Sequence, residues 1–190
     1  MPIKSENQIY TDLIGIVNKA LTDLKQWFPN STFSEWQVLQ LNQPVKLTEI
    51  KPTIWVSATT RNRRGWQYRK YDGYGEQEQF KQTQKFKQEI TVQFSALRER
   101  LLTDDVSVLN STDVLVYLKT YLLKPETIKS LKILGYSIYQ PSEIQTPTIQ
   151  NDSDNFEFMP FFSTTFIYEQ SLERPQDVIN DYTFKTIEGV

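Results

Sequence analysis

The chain has 190 residues, 21 basic and 23 acidic, with no cysteine and no histidine. That length suits one domain, able to bury on the order of 70% of its unfolded surface without help from a metal or a disulfide. The two missing residue types exclude a disulfide scaffold, a zinc ribbon, a thiol nucleophile, a Ser-His-Asp relay and imidazole metal sites. No apolar run approaches the ~18 residues of a membrane-spanning helix, and the opening MPIKSENQIY lacks the apolar core of a signal peptide. The expectation is a soluble, non-enzymatic protein made in a cytoplasm-like compartment. The charge is unevenly spread: residues 1–60 are neutral, 61–100 carry ten basic and five acidic residues, and 101–190 carry six basic and thirteen acidic. If the two patches lie on different faces, one copy attracts the next head to tail, and such contacts close into rings or run on as filaments. If they mix on one surface, they simply cancel.

The first element is a helix over 6–28. Ser5 and Gln8 have capping-box spacing, and Ile9, Leu13, Ile16, Val17, Ala20, Leu24, Trp27 and Phe28 recur at three-four spacing until Pro29 ends the run. EWQVLQL alternates as a short strand, VKLTEI is a short extended piece between Pro44 and Pro52, and TIWVSAT is a buried strand rich in β-branched and aromatic residues. RNRRGWQYRKYDGYGEQEQ follows, with three of the six glycines, and reads as a protruding hairpin or loop over 61–79. The next strand places Phe86, Ile90, Val92, Phe94 and Ala96 inward and Lys85, Lys87, Glu89, Thr91, Gln93 and Ser95 outward. After an ambiguous stretch (LRERLL as a helical turn, TDDVSVLNST as a loop), Ser111 or Thr112 caps a second helix, DVLVYLKTYLL. PETIKSLKILG reads as a third helix, with Pro125 in its first turn and Gly135 just past its end. A brief strand YSIYQ leads to the run FEFMPFFSTTFIYEQ, apolar on both faces and interrupted by Pro160, where a bulge or an edge is required. Residues 172–190 read as an extended arm, with Val178, Ile179, Tyr182 and Phe184 scattered among acids.

The chain is therefore expected to be a single α+β domain over 1–171. Its mostly antiparallel sheet is flanked by a long N-terminal helix and one or two more helices.

No phosphate-binding glycine loop is present, neither Asp104 with Asp105 nor Asp152 with Asp154 sits in an EF-hand loop, and no carboxylate pair is singled out for hydrolysis. No catalytic residue, metal or cofactor is expected. The one segment above background is Arg61, Arg63, Arg64, Trp66, Tyr68, Arg69 and Lys70. Cations interleaved with rings suit a protein contact, a nucleic acid held through phosphates and stacked bases, or an ordinary solvated hairpin with cross-strand aromatic pairs.

This order of elements, from the N-terminal helix through TIWVSAT, the charged hairpin, EITVQFSA, the second helix, the long strand and the acidic C-terminus, resembles the neck and tail-terminator proteins of tailed bacteriophages, over about residues 6–185. The resemblance implies a mixed α/β fold, no enzymatic activity or cofactor, and a homo-oligomeric ring, typically a hexamer. It implies neighbours among the connector or collar and tail proteins, DNA passing through the channel as a further contact, and no membrane. It places the protein in the virion after assembly in the host cytoplasm. On that reading the hairpin residues and Val178, Ile179, Tyr182 and Phe184 are contact residues. The alternative is a nucleic-acid-binding module that uses the same basic-aromatic segment, 61–74.

Overall fold

A computed structural model describes residues 4–28, 36–41, 51–72, 80–98, 109–150 and 156–176. Helix α1 spans Glu6–Trp27. Ser5 caps it, its Oγ accepting from the Gln8 N–H at 3.2 Å. The capping box is not completed: the Gln8 amide turns instead to Asp12, 3.0 Å away. The apolar stripe of α1 is buried from Ile9 to Leu24, while Trp27 and Phe28 are exposed.

Strands β1 (Gln37–Gln40), β2 (Thr53–Asp72) and β3 (Phe80–Leu97) come next. Helices α2 (Ser111–Leu122) and α3 (Pro125–Ile133) precede β4 (Tyr136–Ile138). The short strands β5 (Thr148–Gln150) and β6 (Phe156–Phe158) and the long β7 (Phe161–Gln176) are the last of the described elements. The main sheet has the order β1-β2-β3-β7-β4, and β5 pairs with β6 in a two-stranded sheet. Only β1 with β2 is parallel; the other pairs are antiparallel. The fold is thus α+β, with a mostly antiparallel sheet and two helices beyond the first.

The period-two pattern of β3 sets the core. Ile90, Val92, Phe94 and Ala96 are buried on one face, with Ile54 and Val56 of β2 and Phe162, Phe166 and Tyr168 of β7 on the same side. The helices close over this face through Leu13, Val17, Leu24, Val114, Leu115 and Leu118. Phe94 stacks on Phe162 at 5.3 Å between centroids, and Tyr136 meets the edges of Phe166 and Tyr168. The other face mixes polar and apolar residues: Gln93, Ser163 and the paired hydroxyls of Thr91 and Thr165 share it with Trp55, Phe161 and Ile167.

Three sequence expectations are revised. Asn110, not Ser111 or Thr112, caps α2: its side chain accepts from the Asp113 N–H at 2.9 Å, and the Asp113 carboxylate accepts from the Asn110 N–H at 3.2 Å. The run from Phe156 to Gln170 is not one strand. It breaks at Met159–Pro160, and Phe156–Phe158 leave the main sheet to pair with β5. The basic segment lies on β2, antiparallel to β3, and β7 adds a third strand along the outer side of β3 as far as Phe80. Residues 172–176, the start of the expected arm, are the end of β7. Gly135 does follow α3 with φ 84°, as its position past the helix end requires. The readings of VKLTEI and of residues 99–108 lie outside the described residues.

Candidate assembly surfaces

Strand β2 carries the predicted basic segment, and two irregularities in its pairing with β3 decide how that segment is displayed. Ala58 opposes Val92 but Thr60 opposes Thr91, so Thr59 is an extra residue. One extra residue reverses which side chains face the core. Arg61 therefore lies opposite Ile90 and Arg63 opposite Gln88, on the face that Ile54 and Val56 occupy further back. The apolar alternation of TIWVSA ends at that bulge. The second irregularity sets residues 65–67, with Trp66 at their centre, against Phe86 alone, between the pairs Arg64 with Lys87 and Tyr68 with Lys85. Arg69 and Lys70 then stand opposite Gln84 and Thr83.

Past the first turn of α1 the described sheet continues as three strands without a helix over them. Residues 62–72 of β2, 80–89 of β3 and 169–176 of β7 form a ribbon roughly 30 Å long at the usual strand rise. Its root is tied down by weak contacts. The Arg61 guanidinium lies 3.6 Å from the Glu6 carboxylate, both half-exposed, a geometry worth little in water. The Arg63 guanidinium sits 4.8 Å from the centroid of the Phe86 ring, and Lys85 pairs with Glu169 at 3.3 Å. Arg61, Arg63, Arg64, Trp66, Tyr68, Arg69 and Lys70 are thus gathered on one strand of a projecting ribbon. Val178, Ile179, Tyr182 and Phe184 lie outside the described residues.

Two polar clusters that the sequence did not announce fix α1 on the rest of the molecule. At its start, Asp12 accepts hydrogen bonds from Lys4 Nζ (2.7 Å), Gln8 Nε2 (3.0 Å) and the Tyr136 hydroxyl (2.8 Å). Lys4 Nζ also donates to the Leu134 carbonyl at 2.6 Å and lies 4.0 Å above the Tyr136 ring. Burial works against the Asp12 carboxylate, but these three donors and the Lys4 charge outweigh it and hold its carboxyl below the ordinary value. Burial, then the bond to Asp12, lifts the Tyr136 phenol well above the ordinary range. At the far end of α1, Asp23 accepts from Lys124 Nζ at 2.7 Å and from the Tyr117 hydroxyl. Lys124 also lies about 5 Å from the Tyr117 and Tyr121 rings. The Lys124 bond, and then the Tyr117 bond, lower the Asp23 carboxyl; the same Asp23 contact raises the Lys124 ammonium. Tyr136 lies 124 residues from Asp12, and Tyr117 and Lys124 lie 94 and 101 residues from Asp23, so no local pattern marks these contacts.

Trp27 is 71% exposed at the end of α1, and Leu123 is 40% exposed beside Lys124. Among the described residues no three His, Cys, Asp or Glu side chains converge to hold a metal ion, and no helix is long and apolar enough to cross a membrane. The surface grooves are open and shallow. The one along α1 is lined by Asn7, Tyr10, Thr11, Ile14, Gly15 and Asn18 of the helix with Gln40 of β1.

A family described as E217 gateway protein gp29 matches residues 8–178. The chain belongs to that family, and so to the neck and tail-terminator proteins that join head to tail in tailed bacteriophages; its role is structural, in the virion. No curated protein matches the sequence. Among solved structures, the sheath/tube terminator of an extracellular contractile injection system, PVC, in its extended state, aligns at 11% identity with a TM-score of 0.42. The alignment covers 93% of this chain, and the chain spans 64% of the length of that one.

Proposed function

We propose that the protein is the repeating subunit of a homo-oligomeric ring, hexameric, placed between the head connector and the tail. It caps the tail, stops its polymerisation and presents a surface to the connector or collar proteins. The observation that carries this reading is the family match across residues 8–178. Support comes from the uneven charge along the chain, basic over residues 61–100 and acidic over 101–190, a composition of the kind that head-to-tail ring contacts use. The protein works by assembly, not catalysis, and the assembly takes place in the host cytoplasm. The contact residues on this reading are those of the β2 ribbon and of residues 178–184.

The test is a phage in which the coding sequence is disrupted. DNA-filled heads and separate tails, with joining restored by the protein supplied from a plasmid, are expected. Intact joined particles without the protein would refute the assignment.

A second reading is kept because five of the twelve residues from Arg61 to Asp72 are basic: the ribbon binds DNA. Affinity for generic duplex DNA that falls steeply with salt, and that is lost in the Arg63→Ala, Arg64→Ala double variant, is its signature. In a ring the two readings are compatible, with the ribbon facing DNA in the channel.

A further inference from the structure

The projecting ribbon sorts its charges by face. Successive residues of a strand belong to opposite faces, so the pairing register assigns each one. The three paired segments, 61–72, 80–89 and 169–176, hold four acidic residues. Glu89 is two residues from Thr91 on β3, Glu169 opposes Lys87, Glu173 opposes Thr83 and Asp72 opposes Lys81. All four therefore belong to the outer face, away from α1. The core-side face continues from Ile90 through Gln88, Phe86 and Gln84 of β3. Arg61, Arg63 and Arg69 stand beside these on β2, and Arg174 opposes Gln82 from β7. That face carries four arginines and no acid from the ribbon itself. The extra residue at Thr59 causes the separation. Without it, Arg61 and Arg63 would stand among the acids of the outer face.

The root of this face is a surface of donors. The Arg63 guanidinium lies 4.8 Å from the centroid of the Phe86 ring. A ring takes the flat face of a guanidinium and leaves its N–H edge to an acceptor. The Gln88 Oε1 accepts from the Tyr168 hydroxyl at 2.6 Å, so the other end of that amide, Nε2, is a donor. Arg61 lies 3.6 Å from Glu6 of α1 with both side chains about half exposed, a pairing that a denser anion displaces at little cost. Arg61 and Arg63 stand about 7 Å apart along β2, two steps of the phosphates in one DNA strand. Planar guanidinium forks match phosphate oxygens. On the outer face the lysines meet carboxylates instead: Lys85 pairs with Glu169 at 3.3 Å, and Lys87 opposes the same residue.

We infer that the core-side face of the ribbon, through Arg61, Arg63 and Gln88, takes the phosphate backbone of duplex DNA, and that the outer face does not. This rests on the DNA reading of the ribbon and adds the face. The Arg63→Ala, Arg64→Ala double variant removes one cation from each face, because Arg64 opposes Lys87, and so cannot tell them apart.

Two other double variants separate the faces. Arg61→Ala with Arg63→Ala, and Lys85→Ala with Lys87→Ala, each remove two exposed cations, one of them ion-paired. Binding of a fluorescein-labelled duplex of random sequence to the full-length protein is followed by anisotropy from low to physiological salt. Circular dichroism melts check that both variants keep their fold. The Arg61, Arg63 double should weaken binding about tenfold or more at low salt and lower the slope of log affinity against log salt by about 1.8, or 0.9 per phosphate contact. The Lys85, Lys87 double should stay within about twofold of the parent. Equal losses in the two doubles, or the greater loss in the lysine double, overturn the face assignment and leave the DNA reading standing. No binding by the parent at low salt overturns both. Polyglutamate that displaces the duplex at equal concentration of charge overturns the assignment in favour of an acidic protein.

Discussion

Asp12 and Asp23 each do at one end of α1 what no local helix contact can do: they tie it to residues more than ninety positions away. Tyr136→Phe keeps the ring packing and removes one donor to a nearly buried carboxylate. It should cost about 1–2 kcal/mol, read as a shift of the urea midpoint at unchanged slope. The same groups set the pH response. Asp12 and Asp23 have lowered carboxyl values, so their contribution is complete above the ordinary value of 3.8 and is lost as the pH falls through the lowered ones. Lys124 and Tyr136 are raised, so theirs is complete below 10.5 and 10.0 respectively and is lost as the pH climbs further. With no histidine to titrate between, stability should be flat from about pH 5 to 9 and fall on both sides. Urea midpoints across pH check this; a step near pH 6.5 would contradict it.

At the scale of elements, two devices control where chains stop and turn. Asn110 and Asp113 satisfy each other's backbone at the start of α2. Asn110→Ala should cost about 1 kcal/mol, measured by chemical denaturation. Gly135 takes φ 84° between α3 and β4, in the region a Cβ disfavours; Gly135→Ala should cost about 1 kcal/mol or more by the same measurement. The ribbon shows a third device. The irregularity at residues 65–67 and the proline at position 175 interrupt the outer edges of β2 and β7. Breaks of that kind discourage edge-to-edge aggregation of a long sheet.

On the proposed reading, stability and assembly of the whole molecule are separable because they draw on different surfaces. Phe162 is fully buried against Phe94, so Phe162→Ala should lose about 3–5 kcal/mol and show it in the melting temperature. Arg63→Ala touches an exposed cation above one ring and should stay within about 0.5 kcal/mol of the parent. Its effect belongs in joining: fewer infectious particles at unchanged melting temperature. A large loss of stability in Arg63→Ala would place the ribbon in the folding core instead.

How far the sequence reached depends on the range of the forces involved. The span of α1, the inward face of β3, the Pro125 start and Gly135 end of α3, and the buried strand after Pro52 were all legible, because a 3.6- or two-residue period and a capping residue act within one turn or one strand. Membership of the neck and tail-terminator group was legible from the order of those elements. The basic residues of β2 were legible as a group, but not their display, because Thr59 and residues 65–67 change facing only once β3 supplies a register. The break at Pro160 was foreseen as an irregularity, yet where Phe156–Phe158 go depends on β5 as a partner. Trp27 looked like the end of a buried stripe. Only the packed arrangement leaves it in water, since the sheet beneath α1 ends near Leu24 and Ile54. Local periodicity determined the elements of this protein; tertiary packing decided which faces remain outside for a neighbour, because burial is a property of what an element is covered by.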